Sequence, residues 1–332
     1  MNKVVCFGEV LLRLSPGLNQ QWIRSEMTPV YIGGSELNVA SALALWGIPV
    51  KCLSALPDNY LSKEIIQEIY DRKIEPAIHF SGARVGIYYL PAGADIQHAG
   101  VIYDRDHSSF SHLKPGMINW EEVFEGAFWF HFSAISPALN KNMVAVCHEA
   151  IDAALKKKMS ISIDLNYREK LWQYGQKACN IMPDLVHKCN VVMGNIWAAE
   201  NLLGLRSAIK DSRGLSSKEL SDAAEESMQQ LQGAYPNLQT VAYTFRLPGV
   251  YFGILRQNTH TTISKQFLLK ECVDQVGSGD CFMAGLIYGL RRQQPLRDTI
   301  DFAAAAAAGK LAEKGDSTKN TISNVLKIVQ NG

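Results

Sequence analysis

Short apolar runs alternate with amphipathic stretches along most of the chain. Val4–Phe7 is a brief β-rich run that ends at Gly8. Ser35–Trp46 (SELNVASALALW) then sets apolar side chains at helical spacing, Pro49–Leu56 predicts the next strand and Leu61–Tyr70 the next helix. Ala127–Ser133 and Ser160–Asp164 have the length and apolarity of buried strands, and Lys141–Lys157 between them has a helical pattern. Val191–Met193, Thr240–Thr244 and Tyr251–Leu255 predict further strands, and Asp280–Arg292 and Leu296–Lys314 predict late helices. Strands alternating with helices imply βαβ units, so the expected class is α/β, with a mainly parallel sheet and right-handed crossovers.

Two segments break this rhythm. Arg13–Ile32 has little helical period, and Ala83–Tyr103 (ARVGIYYLPAGADIQHAGVIY) reads as two β-rich runs around a glycine-containing turn. Two arrangements suit them: a small sheet projecting from the main body, built from about residues 10–32 and 83–106, or an edge hairpin of the main sheet. No repeat or linker divides residues 1–332, so one domain is expected. Ser207–Ser221 is polar and reads as a surface loop or frayed helix. The run Ala303–Ala308 reads as a tightly packed helix.

Composition removes several function classes. The chain has 332 residues, 47% of them hydrophobic and 20% charged, an ordinary globular balance. Lys plus Arg is 33 against 32 Asp plus Glu, so there is no basic excess of the kind a dedicated nucleic-acid binder carries. The seven cysteines are odd in number and show no C-x-x-C spacing, which argues against a disulfide framework or a zinc site. The opening MNKVVCFGEVLLRL reads as a strand rather than a signal peptide, and no apolar run reaches about 18 residues. A reducing cytoplasmic setting is expected, with no membrane partner. The histidines lack ligand spacing: His131 inside FWFHFS reads as a core residue, and His107 and His112 as surface groups. Lys156–Lys158 reads as a solvated helix end.

Two glycine-rich segments carry candidate chemistry. Asp274–Asp280 (DQVGSGD) leads into the helical pattern Phe282, Met283, Leu286, Ile287, Leu290. A helix start has free N–H groups and partial positive charge, and Gly277, Ser278 and Gly279 would let an anion approach it closely. Asp280 in the same turn is placed to accept a proton from an attacking hydroxyl. A plain glycine turn with an acidic first helical residue is the alternative. The second segment, Gly33–Gly34–Ser35–Glu36–Leu37–Asn38, opens another helix, and Asn38 offers both donor and acceptor to a sugar hydroxyl. Residue 282 is Phe where a dinucleotide fingerprint needs its third glycine, and no G-x-x-x-x-G-K-[ST] loop exists.

Together the two segments resemble the paired signatures of the ribokinase-like (PfkB) sugar kinases: a GG turn with an Asn, and an acidic residue followed by G-A-G-D, here GSGD. Leu56–Pro57–Asp58–Asn59 resembles a further family turn. The resemblance, which runs over nearly the whole chain, implies a Rossmann-like central domain with helices on both faces and a β lid that closes over the sugar. It also implies that the lid pairs subunits into a homodimer or higher homo-oligomer, and that the chain uses ATP and Mg2+, with Gly277, Ser278 and Gly279 as anion hole and Asp280 as base. Three stretches are similar to 2-keto-3-deoxygluconate kinases: Gly86–Ile87–Tyr88, Tyr103–Asp104–Arg105, and Asp164–Leu165–Asn166–Tyr167–Arg168 with Leu171–Trp172. By that similarity Gly34, Tyr88, Tyr103, Arg105 and Arg168, with Asn38, contact a sugar acid, the arginines suiting its carboxylate. The alternatives are a solvated turn ion pair for Arg105, a surface helix start for Arg168 and a core position for Tyr88. The nucleotide side implied is Asn195, Thr244, Gly277 and Gly279; Arg246, which stands where the family has Gly, reads either as a contact to an ATP phosphate or as a surface residue.

There are departures from the family pattern. The family's N-x-x-E reads Asn195–Ile196–Trp197–Ala198, with acid only at Glu200, which stands as the candidate metal ligand. Thr-x-Gly reads Thr244–Phe245–Arg246, and Gln97–His98 replaces an Arg-Pro pair. Other kinases of the fold, acting on fructose or ribose, and a non-catalytic sugar-binding relative are the competing expectations.

Overall fold

A computed structural model describes residues 3–17, 27–91 and 100–332; Gln97–His98 lie outside them. The strands are β1 (Lys3–Phe7), β2 (Leu11–Leu14), β3 (Val30–Gly33), β4 (Val50–Leu56), β5 (Glu75–Phe80), β6 (Gly86–Tyr89), β7 (Ile102–Asp104), β8 (Ala127–Ser133), β9 (Ser160–Asp164), β10 (Val191–Gly194), β11 (Thr240–Leu247), β12 (Val250–Gln257), β13 (His260–Ile263) and β14 (Phe267–Leu268). The helices are α1 (Ser35–Leu45), α2 (Tyr60–Asp71), α3 (Trp120–Val123), α4 (Lys141–Lys156), α5 (Met182–Val186), α6 (Ile196–Leu203), α7 (Ser217–Ala234), α8 (Ser278–Arg291), α9 (Leu296–Leu311) and α10 (Ile322–Asn331).

The central sheet runs β13-β12-β11-β10-β9-β8-β1-β4-β5, with β14 pairing β12. From β5 to β11 every neighbouring pair is parallel. Alternation along each strand divides the core in two. Val5, Phe7, Phe130, Phe132, Ile161 and Ile163 pack on one face under α4 to α7, while Val4, Cys6, Cys52, Met193 and Ala242 pack on the other under α1, α2 and α8 to α10. The mainly parallel sheet is thus as the pattern implied, and the helices on both of its faces as the resemblance implied. The expected strand pair at 240–255 is an antiparallel hairpin, β11–β12, closed by Pro248–Gly249 between the partners Leu247 and Val250. The alanine run lets α9 sit tightly on α8: a side chain at Gly285 would strike Ala303.

The two segments that broke the rhythm form a separate four-stranded sheet, order β3-β2-β6-β7, rather than an edge hairpin of the main one. In it β2 runs parallel to β6 and antiparallel to β3, and β6 antiparallel to β7. The polar stretch 207–221 is partly helical: α7 begins inside it with a capping box in which Ser216 and Glu219 satisfy each other's orphan N–H groups.

Candidate active site

Parallel strands leave their carboxyl ends on one edge of the sheet, and the chain reverses direction across the sheet between β1 and β8. Ligands of such folds bind in the crevice at that edge. Here it is a cavity of about 890 Å³ between the sheet edge and the small sheet. Glu9 follows β1, Ile135 follows β8, Asp164 ends β9 with Asn166–Arg168 behind it, and Gly194–Asn195 close β10; all line the cavity.

The start of α8 forms one wall. Its N-cap, Gly277, has φ +79, a conformation that glycine adopts without strain. The first bond inside the helix runs from the Cys281 N–H to the Gly277 carbonyl, so the Ser278 and Gly279 amides have no helical partner. The Ser278 hydroxyl is spent on the Ala307 carbonyl of α9. Asp280, one turn in, is buried and faces the cavity. Its Oδ1 accepts from the Ser35 hydroxyl at 2.7 Å and its Oδ2 from the Asn38 side-chain amide at 2.7 Å. Asn166 Nδ2 in turn donates to Ser35 at 3.0 Å. The GG turn at 33–34 is what admits α1 here: Gly34 has φ +136, and a Cβ on it would strike the Glu9 carbonyl.

Three carboxyls crowd this wall. Burial raises the pKa of Asp280; the bonds from Asn38 and Ser35 and the charges of Arg168 and Lys310 oppose the rise. Burial also lifts Glu36 and Asp164, each to about 7. For Glu36 a bond from Ser133 offsets part of the rise; for Asp164 the Asn166 amide does the same, and the nearby Asp280 adds to it. A carboxyl whose pKa is raised on folding stabilises the fold below its ordinary pKa, and loses that contribution as pH rises through the folded value. A rise from 4.5 to about 7 for Glu36 corresponds to about 3 kcal/mol. Glu36→Gln is therefore expected to flatten the fall in stability between about pH 5 and pH 8, read by denaturant unfolding at several pH values. An unchanged slope would show that Glu36 does not titrate in that window.

The residues expected at the site mostly meet here. Gly34, Asn38, Tyr88, Tyr103, Arg105, Arg168, Asn195, Thr244, Arg246 and Gly277 to Asp280 all line the cavity. Several are engaged differently from expectation. Asn38 spends its amide on Asp280 and its oxygen on Ser317, so it orients an acid instead of reaching free into the pocket. Arg105 is neither a surface group nor an unpaired cation: its Nε and Nη2 lie 2.6 and 2.5 Å from Glu9 Oε2, in a buried pair. The Tyr88 hydroxyl donates to Asp316.

Glu200 is the expected residue that lies apart from the others. It is exposed and outside the cavity, whose α6 wall is Trp197, Ala198 and Asn201. At 100° per residue, Glu200 points away from Ala198. Asn195 Oδ1 caps α6 by accepting the Ala198 N–H. Among the described residues no three acidic, His or Cys side chains cluster as a metal site. Ser35, Glu36, Asp164 and Asn166 were quoted in motifs without a role, and Glu9, Asp316 and the Lys210–Arg213 rim carried no motif at all.

The family model for the pfkB family carbohydrate kinases matches residues 1–322. The chain belongs to that family. It is 28% identical over 331 residues to the 2-dehydro-3-deoxygalactonokinase of Haloferax volcanii, covering 99% of this chain and 97% of that one. The 2-dehydro-3-deoxygluconokinase of Thermotoga maritima superposes with a TM-score of 0.89 at 31% identity, covering 99% and 100% of the two chains. A ribokinase II chain from E. coli, solved with ATP and Mg2+, shares the fold at a TM-score of 0.80 and 15% identity, each chain covered in full. The carbohydrate kinase is accordingly a phosphotransferase with an alcohol acceptor. Among its described residues no helix is long and apolar enough to cross a membrane.

Proposed function

We propose that this kinase transfers the terminal phosphoryl group of ATP to the terminal hydroxyl of 2-keto-3-deoxygluconate, giving 2-keto-3-deoxy-6-phosphogluconate and ADP. The observation that carries the reading is Asp280. Its buried carboxylate lies in the first turn of α8, two residues after Ser278, and lines the same cavity as Ser278, Gly279, Tyr88, Tyr103 and Arg168. Asp280 accepts the proton of the acceptor alcohol. Gly277, Ser278 and Gly279 meet the charge that develops on the phosphoryl oxygens. Arg168, half-buried at the end of the Asp164–Arg168 segment, supplies the charge for the substrate carboxylate, and Arg105 contributes from its pair with Glu9.

The triphosphate is assigned to the opposite half of the cavity, by Asn195, Thr244, Arg246 and the α8 amides. Mg2+ would be held chiefly through the phosphates, as is common for that ion, and would neutralise their charge. Pairing of subunits through the small sheet, which covers the sugar end, belongs to the same reading.

The galactonate epimer is a second acceptor to consider, because the Haloferax volcanii relative carries that name. ADP release measured with both keto acids, fructose and ribose tests the assignment. Turnover should favour the keto acids, and Arg168→Ala should raise their KM about 10- to 100-fold with little change for ATP. A preference for a neutral sugar would discard the acid-sugar assignment while leaving the kinase chemistry standing.

A further inference from the structure

Arg13 lies on β2 of the small sheet, is 1% exposed and does not line the cavity. Its guanidinium nevertheless organises the turn that builds the anion site. Nη1 and Nη2 donate to the two carboxylate oxygens of Asp274 at 3.1 and 2.6 Å, and Nε lies 2.9 Å from Asp316 Oδ1, an ion pair that lacks hydrogen-bond geometry. The guanidinium also covers the Tyr31 ring at 4.4 Å. Burial alone would lower the Arg13 pKa, but the two acids more than offset that and raise it, so the group stays charged.

Both acids hold the backbone around Gly277. Asp274 opens the DQVGSGD turn, and its oxygens accept the Val276 and Gly315 amides, each at 3.1 Å. The Asp316 carbonyl presses on Gly277 closely enough that a Cβ there would collide with it. The turn that aims the Ser278 and Gly279 amides is therefore pinned from two sides, and both pins end on one side chain of the small sheet.

That side chain belongs to a row. Tyr31, Arg13, Tyr88 and Tyr103 are successive cross-strand partners through β3, β2, β6 and β7, so they share one face. Tyr88 and Tyr103 line the cavity at its sugar end, with ring centroids 6.4 Å apart, and Tyr88 also donates to Asp316 at 2.9 Å. One row thus touches the acceptor's place at one end and the phosphate-side turn in its middle.

We propose that Arg13 is a positioning residue for phosphoryl transfer. It holds the Asp274–Gly277 turn in the geometry that aims the α8 amides, and it does so only while the small sheet is seated. The sugar wall and the phosphoryl site are therefore set together. This rests on the anion-hole reading of Gly277 to Gly279 given above. The guanidinium meets Asp274 with a two-N–H fork while Nε faces Asp316; an ammonium, whose donors diverge from one atom, cannot reproduce that paired geometry.

The test is steady-state kinetics of Arg13→Ala and Arg13→Lys, each with a thermal melt, and of Arg13→Ala with added guanidinium or tetramethylammonium chloride. Arg13→Ala is expected to lose about 100-fold in kcat at temperatures where it is folded, with a raised KM for ATP. Arg13→Lys should recover little of this. Guanidinium should restore turnover to Arg13→Ala, and tetramethylammonium should not. A kcat within about twofold of the parent, or a loss that follows only the unfolded fraction and resists guanidinium, overturns the proposal. If Arg13→Ala does not fold, Asp316→Asn, which keeps the Asp274 pair, decides: about a tenfold drop in kcat in a folded protein is expected, and an unchanged kcat refutes the coupling. Asp280→Asn run alongside separates the two readings. If it stays active, the site assignment fails; if it is inactive while Arg13→Ala is normal, only the positioning role fails.

Discussion

Asp280→Asn is expected to lower kcat by about 10²- to 10⁴-fold while leaving the binding of both substrates nearly unchanged, because a general base contributes about that much. The substitution is close to isosteric. The oxygen of the replacement side chain can still accept the Asn38 amide, and its new NH2 faces the Ser35 hydroxyl, which has a lone pair to spare after accepting from Asn166. Removing a buried charge held by neutral donors should not cost stability, and the melt should match or exceed that of the parent. What is lost is the carboxylate proposed to take the proton.

The pH profile gives an independent reading of the same group. Burial holds the Asp280 pKa above the ordinary carboxylate value. As a base it must be ionised, so kcat/KM should fall as pH is lowered through that raised value, and the acidic limb should lie above the ordinary aspartate pKa. The limb should disappear in whatever residual activity Asp280→Asn retains. Isothermal titration with the keto acid and stopped-time ADP release separate binding from chemistry. Near-parental turnover would remove Asp280 from the proton-transfer role.

Features set by short stretches of chain were legible in the sequence. DQVGSGD carries its own turn, its glycines and its acid within seven residues, and the helix after it follows from the apolar spacing of Phe282 to Leu290. The strands at 127–133 and 160–164 announce themselves because a doubly covered sheet demands apolar residues on both faces. The capping box at Ser216 and Glu219 and the turn at Pro248–Gly249 are equally local, but neither is among the expectations drawn from the sequence; the first is masked by the polar composition around it. Long-range pairings were not legible. Arg105 finds Glu9 across 96 positions, and Arg13 finds Asp274 across 261. In the sequence Arg13 is one basic residue in a strand of leucines; only the placement of the small sheet over the α8 turn gives it two acids to bridge. Glu200 lies away from the cavity for the reverse reason, since nearness in sequence to Asn195 does not survive the rotation of a helix.

Glycines 277 and 279 should separate folding from function in a way no other pair in this site can. Gly277→Ala is expected to lose both. Its φ of +79 is unfavourable for an L side chain, and the added methyl would meet the Asp316 carbonyl, a backbone atom that cannot rotate aside. At Gly279 the same methyl meets nothing nearer than the Met193 methyl at 3.9 Å, and the position lies in the first turn of α8, where alanine is the better helix former. Gly279→Ala should therefore melt at or above the parent temperature. A helical Cα–Cβ bond tilts toward the N-terminus, so the methyl enters the space in front of the Ser278 and Gly279 amides that a phosphoryl oxygen has to occupy. Displacing an anion from such donors costs about 10²- to 10³-fold in rate. The expected signature is a folded Gly279→Ala protein with kcat/KM for ATP down by that factor, beside a Gly277→Ala protein that is both inactive and less stable. Parental turnover by Gly279→Ala would show that the start of α8 does not grip the transferring group.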